Sequence, residues 1–529
     1  MFVHRTHPLR KYSVSGNSSC SVFLPNSRWD RVLQVFVVRR KVLRGGLCRS
    51  WNLAIIVKKE RLCSEIWKIF VIFAAMKRQT YFLLAIVLLT FVACGTYRNA
   101  KRAAHEEHNL SPLREGTVTS DDSSLSSGQI LPVSPQQGGA GGGSSLSLRL
   151  DSLLLTADTL LQMTQLGMHI VDLTTGELLY AHHARQRMRP ASTEKVVTAI
   201  AALDVLGPSY TLDTQLLTCA AVSGHVLQGD LYVKGVMDPL LSVADVRALA
   251  TQLKAAGVSR INGRLVADAS FKDDDEFGWG WCWDDENPTL SPLLCGGKPG
   301  LAAQLRTALG RAGITLTKGV TTGTAPASSR CLAAIRRPLT EVLMPMMKES
   351  DNLCAEAVFY QMGREKLARG KHYSRKQVIS IINGVIENAY TSTSLPSLME
   401  EARGGSSSIS SFTIADGSGL SLYNYQTPET FTRLLSYALS RQDSIFTPLL
   451  TALPIAAVDG TLKNRMADTP AAANVRAKTG SVSAVSTLVG YTTQRSTNHL
   501  IAFAIMNNGL PRMAEGRALQ DKICMILSE

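Results

Sequence analysis

Strand and helix patterns at both ends of the ordered part of the chain constrain its fold more than any other feature. Residues 168–173 and 177–180 alternate apolar and polar side chains on either side of a Thr-Thr-Gly turn, which predicts a hairpin. Near the C-terminus, three successive antiparallel strands are predicted over 475–478, 486–492 and 500–506. An amphipathic helix over 513–527 follows them. We therefore expect an α/β (α+β) fold, in which one antiparallel sheet built from both chain ends carries helices on both faces.

The segments between these ends differ in composition. Residues 95–147 are rich in Ser, Gly, Pro and Gln and end in a run of glycines, which indicates a flexible tether that buries too little apolar surface to fold. Residues 213–332 carry short predicted strands over 231–234 and 260–267, a loop with three Trp residues and a helix around 301–309, so we expect an inserted accessory lobe. Residues 148–212 and 333–529 would then form a single domain interrupted by that lobe.

The positive charge of the chain is concentrated near its N-terminus. The formal net charge is +14, but residues 1–94 hold 16 Lys and Arg against 3 Asp and Glu, which leaves 40 basic and 39 acidic residues in the remainder. A nearly neutral body offers no basic surface for a phosphate backbone, so we expect no nucleic-acid partner.

Residues 76–94 have the features of a secretory signal. Lys77 and Arg78 precede a 13-residue, largely apolar run over 81–93, which is too short to span a bilayer comfortably and ends directly before Cys94. The junction resembles a bacterial lipoprotein signal, in which Cys94 becomes the acylated N-terminus. An uncleaved anchor helix is the alternative. Both predict export, and we expect a periplasmic protein attached to a membrane.

Two other N-terminal features are interpreted without a function. Residues 1–75 are basic, show no clear repeat and precede a complete signal, so we expect either an unstructured extension or a true start at Met76. His105 and His108 suggest metal binding, but they are three residues apart and lie in the tether. We interpret them as solvated chain and expect no metal site and no cofactor.

The six cysteines of the body include no CxxC pair, so zinc and redox motifs find no support: Cys219, Cys282, Cys295, Cys331, Cys354 and Cys524. In an oxidising compartment we expect Cys282 and Cys295 to form a disulfide. Cys354 and Cys524 lie in apolar helical patterns, so we expect both to be buried and unpaired.

Ser192-Thr193-Glu194-Lys195 is the first of three short motifs that carry chemistry. A serine hydroxyl is a weak nucleophile until a base takes its proton, and Lys195 lies on the same helical face as Ser192. Lysine can act as that base when burial or a neighbouring cation lowers its pKa. A helix that begins at this serine also points free N–H groups at the oxygen where charge develops. Alone, however, the motif more often marks an N-cap serine beside a surface lysine.

Two further motifs follow in order. Ser350-Asp351-Asn352 opens a helix predicted over 352–362 and closed by Gly363, where an N-cap serine is the ordinary explanation. Lys478-Thr479-Gly480 lies on a predicted strand edge before Ser481; the glycine permits close backbone approach, and the lysine and hydroxyl together can hold a carboxylate. Each motif is weak by itself. The three in this order form the signature of penicillin-binding proteins and class A β-lactamases.

Further segments of the sequence indicate which of these families the chain resembles. Besides the three motifs, four segments carry the resemblance: Ile-Ala-Asp-Gly-Ser-Gly-Leu-Ser at 414–421, Asp-Gly-Thr-Leu-Lys-Asn-Arg at 459–465, Leu-Gly-Pro-Ser-Tyr at 206–210 and Gly-Asp-Leu-Tyr-Val-Lys-Gly at 229–235. Over about residues 150–529 the chain resembles the D-Ala-D-Ala carboxypeptidase/endopeptidase family, peptidase family S13, often called penicillin-binding protein 4. It departs from the family at 235–239, where glycines usually precede Asp-Pro, and its insertion is short. The resemblance implies a serine β-lactamase/transpeptidase-like fold for the catalytic domain.

The resemblance also implies catalytic roles. Ser192 would be the acylating nucleophile and Lys195 its base. Ser350 would relay the proton to the leaving D-alanine, Asn352 would hold the amide backbone of the substrate, and Lys478 would bind its terminal carboxylate. The substrate would be the stem peptide of peptidoglycan, cleaved in cell-wall biogenesis and remodelling, and β-lactams would be covalent inhibitors.

Substrate-binding residues follow from the same resemblance. Thr479 would bind the terminal carboxylate together with the lysine of its motif. The backbone N–H groups of Ser192 and Ser481 would form the oxyanion hole, next to Gly480. Asp351 is also expected among the substrate-binding residues.

Three alternatives differ from this prediction in testable ways. Class A β-lactamases need a glutamate in an E-x-x-L-N-like loop, and none occurs between Asn352 and Asp416. The 158-residue gap between Ser192 and Ser350 also demands an insertion that simple β-lactamases lack. A Ser-His-Asp hydrolase would need a G-x-S-x-G elbow, which the chain does not have. A β-lactamase-like hydrolase and a catalytically inactive wall-binding lipoprotein stay open as alternatives, although three intact motifs argue against the second.

Overall fold

The computed structural model describes residues 18–21, 34–37, 145–366, 374–393 and 412–529. The predicted signal with Cys94, His105, His108 and nearly all of the tether lie outside these residues. Near the N-terminus, strands β1 (Ser18–Ser21) and β2 (Gln34–Val37) form an antiparallel pair. Within the part of the chain that the structure describes, no helix has the length and apolar character needed to cross a membrane.

Residues 145–529 contain helices and strands along their whole described length. The strands are β3 (Gln165–Asp172), β4 (Leu178–His182), β5 (Thr211–Thr218), β6 (Val222–Ser223), β7 (Val226–Leu227), β8 (Leu231–Lys234), β9 (Arg260–Ile261), β10 (Leu265–Asp268), β11 (Leu294–Cys295), β12 (Lys298–Pro299), β13 (Thr315–Leu316), β14 (Val320–Thr322), β15 (Arg330–Pro338), β16 (Arg476–Val482), β17 (Val485–Gln494) and β18 (His499–Asn508). The helices are α1 (Ser145–Thr156), α2 (Asp158–Met163), α3 (Glu194–Leu206), α4 (Val243–Ala255), α5 (Leu301–Arg311), α6 (Leu339–Lys348), α7 (Asn352–Lys366), α8 (Arg375–Ser392), α9 (Pro428–Ser440), α10 (Phe446–Ala452) and α11 (Met513–Ser528).

A five-stranded antiparallel sheet joins the two ends of this body, in the order β16-β17-β18-β3-β4. Strand β18 is buried on both faces, and its side chains alternate between two hydrophobic cores. Phe503 and Ile505 pack in the core that contains α1 and α11. Ala504 and Met506 pack in the larger core formed with α3 and α6 to α10. The predicted antiparallel sheet with helices on both faces is therefore confirmed.

A second group of strands lies between Thr211 and Pro338. It forms a five-stranded sheet in the order β14-β10-β8-β5-β15 and a four-stranded sheet in the order β13-β9-β7-β6, and helices α4 and α5 complete a separate hydrophobic core. Strand β10 pairs in parallel with both β8 and β14. None of the described strands in this segment pairs with the main sheet. That residues 213–332 act as an accessory lobe stays a prediction.

Three local predictions were wrong. The strand expected over 260–267 is split into β9 and β10, which belong to different sheets. At the break, Gly263 lies so close to the Gly229 backbone that a side chain would not fit. The helix expected to end at Gly363 runs on to Lys366, since the packing of its buried face outweighs the low helix propensity of glycine.

The third concerns the cysteines. Cys282 and Cys295 are free thiols. Cys282 lies in the Trp-rich loop next to Trp281, which packs against the larger core, whereas Cys295 lies in β11 and packs against the core of the second group of strands. Cys354 and Cys524 are buried and unpaired, as expected from their helical patterns.

Candidate active site

A tight turn presents Ser192 at the start of α3. The turn is a 3-10 helix, Ala191–Thr193, in which Ala191 adopts a left-handed φ of 49°. Two hydroxyls hold the turn in place: the Oγ1 atoms of Thr193 and Thr487 each donate to the Pro190 carbonyl at 2.7 Å. Thr487 belongs to β17, so the turn is fixed against the main sheet. Ser192 is thereby half-buried at the N-terminus of a helix, where unpaired N–H groups stabilise negative charge.

Lys195 points back to this serine from the first turn of α3. Its Nζ lies 3.0 Å from Ser192 Oγ, 2.7 Å from Asn352 Oδ1 and 2.7 Å from the Ser418 carbonyl oxygen. The side chain has no solvent exposure. Two of the three partners, the amide oxygen and the carbonyl, can only accept hydrogen bonds. The SxxK motif is therefore a buried serine–lysine pair rather than an N-cap serine with a surface lysine.

Burial changes the acidity of this lysine. It lowers the pKa of Lys195 to about 8, against the opposing influence of the buried carboxyls of Asp416 and Glu356. A pKa of about 8 leaves about one amine in ten neutral at pH 7. Lys195 is therefore able to accept a proton near neutral pH, which an exposed lysine does rarely.

Lys478 occupies a second buried position, beside Ser350. Its Nζ donates to Ser350 Oγ at 2.9 Å and to the Thr479 carbonyl at 2.7 Å, and the side chain is fully buried. Burial, with a further contribution from the positive charge of Lys195, places the pKa of Lys478 well below its ordinary value. Like charges that influence one another in this way lie close together. The structure thus brings both lysines and both serines into one site.

The Ser-Asp-Asn motif connects the two lysines. Ser350, in a left-handed conformation with φ of 62°, accepts from Lys478, while Asn352 accepts from Lys195. Asp351 between them is exposed, and its carboxylate accepts from the backbone N–H of Cys354 at 2.7 Å, which caps α7. A contact of Asp351 with substrate stays a prediction.

The Lys-Thr-Gly motif lies on β16, the edge strand of the main sheet, as the sequence predicted. Thr479 Oγ1 donates to Thr461 Oγ1 at 2.8 Å, which links the motif to the 459–465 segment. Gly480 is packed so closely against the Ser192 turn that a Cβ atom there would lie 2.6 Å from the Pro190 carbonyl oxygen. Ser481 follows it on the exposed side of the strand. The edge of the sheet therefore lies directly against the residue that precedes the Ser192 turn.

Several residues at this site were not singled out from the sequence. The loop around Asp416 supplies the Ser418 carbonyl to Lys195 and the Gly417 carbonyl to Thr198 Oγ1 at 2.7 Å. Glu356, one turn after Asn352 on α7, accepts from the Gly417 N–H at 3.1 Å. The Asp-Gly-Ser-Gly sequence of the loop was recognised only as a family-like segment. For Glu356, the available signal was its spacing of four residues from Asn352, which places both side chains on the same face of a helix.

Two buried glutamates lie close to Lys195. Burial raises the pKa of Glu356 to about 8, and the nearby carboxylate of Asp416 adds to the increase. Burial also raises the pKa of Glu194 well above its ordinary value, although Gln426 Nε2 donates to both of its oxygens at 3.1 Å. Burial of the Lys195 amine outweighs the charge of the carboxyls around it, so its pKa stays below the ordinary value.

The geometry favours acyl transfer by a serine nucleophile. A buried amine lies within hydrogen-bond distance of a half-buried serine at a helix N-terminus, and a second lysine and serine lie beside it. In the described ranges, no cluster of three or more His, Cys, Asp or Glu residues has the arrangement of a metal site. The residues present fit the sequence motifs from which the site was predicted.

Known proteins resemble this chain in sequence and fold. The model of the D-Ala-D-Ala carboxypeptidase 3 (S13) family matches residues 146–293 and 300–529. The chain is 28% identical over 497 residues to a D-alanyl-D-alanine carboxypeptidase of Actinomadura sp. strain R39, covering 76% of this chain and 88% of that protein. It is 31% identical over 392 residues to carboxypeptidase DacB of Mycolicibacterium smegmatis, covering 68% and 79% respectively. The crystal structure of penicillin binding protein 4 (dacB) from Haemophilus influenzae shares the fold, with a TM-score of 0.61, 22% identity, and coverage of 71% of this chain and 99% of that one.

Proposed function

The chain belongs to the D-Ala-D-Ala carboxypeptidase 3 (S13) family, and on that premise we propose that it cleaves peptidoglycan stem peptides through an acyl-enzyme on Ser192. Relatives over most of its length are named carboxypeptidases, which supports a serine-type peptidase acting on D-Ala-D-Ala. The reaction is hydrolysis of an amide bond, as carboxypeptidase on terminal D-alanine or as endopeptidase on a cross-link.

The environment of the Lys195 amine is the observation that carries this proposal. A neutral amine has two N–H bonds and one lone pair, arranged tetrahedrally. The acceptors Asn352 Oδ1 and Ser418 O, each 2.7 Å away, take the two N–H bonds. The lone pair then points toward Ser192 Oγ at 3.0 Å, the geometry of a base about to accept the hydroxyl proton.

The acylation step follows from these positions. As Ser192 Oγ attacks the carbonyl carbon of the substrate, its proton passes to Lys195 Nζ. The N–H groups of Ser192 and Ser481 hold the oxygen on which charge develops. When the intermediate collapses, the C–N bond breaks, and the proton taken up by Lys195 passes through Ser350 to the leaving D-alanine nitrogen. Water then hydrolyses the ester and restores the serine.

Substrate binding is assigned to the second lysine and its neighbours. Lys478, with a pKa held well below the ordinary value by burial, gains a favourable partner when the terminal carboxylate of the substrate enters. Thr479 Oγ1 lies on the same strand and donates to Thr461 Oγ1; its hydroxyl would turn from that partner to the carboxylate when substrate binds. Asn352 would hold the substrate's amide backbone, and Asp351 would lie at the margin of the site.

The location and the accessory lobe complete the proposal. We place the enzyme in the periplasm, held to a membrane by acylated Cys94, because the signal-like residues 76–94 end at that cysteine. Cys94→Ser should release the protein or leave it uncleaved; a membrane-bound, cleaved variant would contradict the anchor.

Limited proteolysis should excise fragments with ends near the boundaries of 213–332, and cuts spread evenly through the chain would contradict a separate lobe.

Muropeptide digestion tests the function itself. The purified full chain should convert a disaccharide pentapeptide to the tetrapeptide with release of D-alanine, or should cleave a cross-linked dimer, both visible by mass spectrometry. The Ser192→Ala variant is the matched control and should do neither. Rapid turnover of penicillin without muropeptide cleavage would instead favour a β-lactamase. Absence of both products and of any penicillin adduct would favour the inactive wall-binding protein.

A further inference from the structure

The Trp-rich loop contacts the loop that holds Lys195. Trp281 Nε1 donates to Asp416 Oδ2 at 2.7 Å, and the Trp279 ring stacks on Tyr423 with centroids 4.4 Å apart. Leu422 N donates to the Gly280 carbonyl at 3.4 Å. Three contacts from residues 279–281 therefore join the segment inserted between the catalytic motifs to the 416–424 loop.

Asp416 organises this loop from its interior. Its carboxylate is fully buried and accepts four hydrogen bonds, two on each oxygen. Oδ1 accepts from Gly419 N at 2.8 Å and Asn424 Nδ2 at 2.7 Å, and Oδ2 accepts from Ser421 N at 2.6 Å and Trp281 Nε1. Three donors belong to the loop itself, whereas Trp281 is the donor from another segment. A buried carboxylate that loses one donor retains an uncompensated lone pair, which favours rearrangement of its surroundings.

The same loop sets one side of the catalytic amine. Ser418, two residues after Asp416, supplies the carbonyl that takes one N–H of Lys195. Gly417 lies between them, with its N–H on Glu356 and its carbonyl on Thr198. The direction of the Lys195 lone pair depends on both acceptors, so a shift of the Ser418 carbonyl turns the lone pair away from Ser192.

We propose that Trp281 is a positioning residue for catalysis, whose indole N–H holds the Asp416 loop so that the Ser418 carbonyl orients Lys195 toward Ser192. This inference rests on the proposed acyl-enzyme function. It makes the acylation step depend on a side chain from the inserted segment that does not touch the nucleophile. Trp281 acts on the rate of bond formation rather than on carboxylate binding, since Lys478 donates to Ser350 Oγ and Thr479 donates to Thr461 Oγ1, both outside the Trp281–Asp416 contact.

The geometry of the indole ring permits a sharp test. Trp281→Phe keeps an aromatic ring and removes the N–H donor. Trp281→His keeps a donor, because imidazole Nε2 superimposes on indole Nε1 when the two five-membered rings overlap. If Trp281 acted only through packing, histidine would damage the enzyme at least as much as phenylalanine. Trp283→Phe is the matched control, since Trp283 lies two residues away in the same loop and is 93% exposed.

Stopped-flow acylation by a labelled penicillin separates the binding constant from the first-order acylation rate. In Trp281→Phe we expect the acylation rate to fall by about 10- to 100-fold with the binding constant changed less than about threefold. Trp281→His should retain most of the rate, and Trp283→Phe all of it. A Trp281→Phe rate within about threefold of the unmodified protein, or equal losses for Phe and His, would overturn the proposal. If the unmodified protein forms no adduct on Ser192, it is the proposed function that fails instead.

Discussion

Gly480→Ala introduces one methyl group between the Lys-Thr-Gly strand and the Ser192 turn. The new Cβ would lie 2.6 Å from the Pro190 carbonyl oxygen, 3.0 Å from Thr193 N and closer still to Thr487 Oγ1. Ordinary contacts of this kind begin near 3.4 Å, so the strand and the turn must separate by close to 1 Å. Two of the three obstacles are backbone atoms, which cannot turn aside as a side chain can.

The separation acts on the oxyanion hole. Its proposed donors, the N–H groups of Ser192 and Ser481, belong to the two segments that are forced apart. Loss of one oxyanion donor costs about 10²- to 10³-fold in rate, or about 2.7–4 kcal/mol. Overpacking of a well-packed site destabilises the fold by about 1–3 kcal/mol. We expect Gly480→Ala to be folded but to acylate about 10²- to 10³-fold more slowly.

Paired measurements of penicillin acylation rate and denaturant unfolding test this expectation. Gly384→Ala is the matched control, because a Cβ at Gly384 in α8 meets no atom within 4 Å. The control should acylate normally and gain about 0.5–1 kcal/mol, as alanine is favoured over glycine in a helix interior. A folded Gly480→Ala protein that acylates within about threefold of the unmodified rate would refute the reasoning, because the oxyanion hole could not then lie between strand and turn.

Three further predictions concern the buried charges. Since burial lowers the pKa of Lys195 to about 8 and the neutral amine is the base, the acylation rate should rise about tenfold per pH unit below pH 8 and level off above it; a rate independent of pH between 6 and 9 would exclude this base. Lys478→Ala should weaken binding of D-Ala-D-Ala peptides more than it slows their acylation, and peptide kinetics that show only a slower first-order step would contradict carboxylate binding. Burial raises the folded-state pKa of Glu356 from 4.5 to about 8, so the unfolded chain loses this proton first as pH rises, and stability falls between those values by about 1.4 kcal/mol per pH unit. Glu356→Gln should therefore gain stability relative to the unmodified protein from pH 5 to pH 8 in urea unfolding, and a constant difference would show that Glu356 does not titrate in this range.

The sequence was most informative where local pattern and tertiary structure agree. Residues 500–506 predicted a strand, and the alternation of Phe503 and Ala504 between two cores gives the reason, since a central strand needs apolar side chains on both faces. The three motifs were likewise predictable, because each places its chemistry at the start of a helix or on a strand edge.

Long-range contacts were the part that pattern could not supply. The hydrogen bond between Trp281 and Asp416 joins residues 135 positions apart. The Trp-rich loop was distinctive in composition, but its composition did not indicate which segment of the chain it contacts. The expected disulfide failed for the same physical reason: an approach of Cys282 to Cys295 depends on how two separate segments pack, which spacing alone does not determine.

The central claim is that Ser192 carries the acyl group, and mapping a penicillin adduct tests it most directly. A β-lactam resembles acyl-D-Ala-D-Ala, but its leaving group stays tethered after the ring opens and obstructs the hydrolytic water. The full chain should therefore form a long-lived adduct with labelled penicillin, and peptide mass spectrometry should place the label on Ser192 alone, with none in Ser192→Ala. A label on any other residue, or a label that persists in Ser192→Ala, would contradict the account.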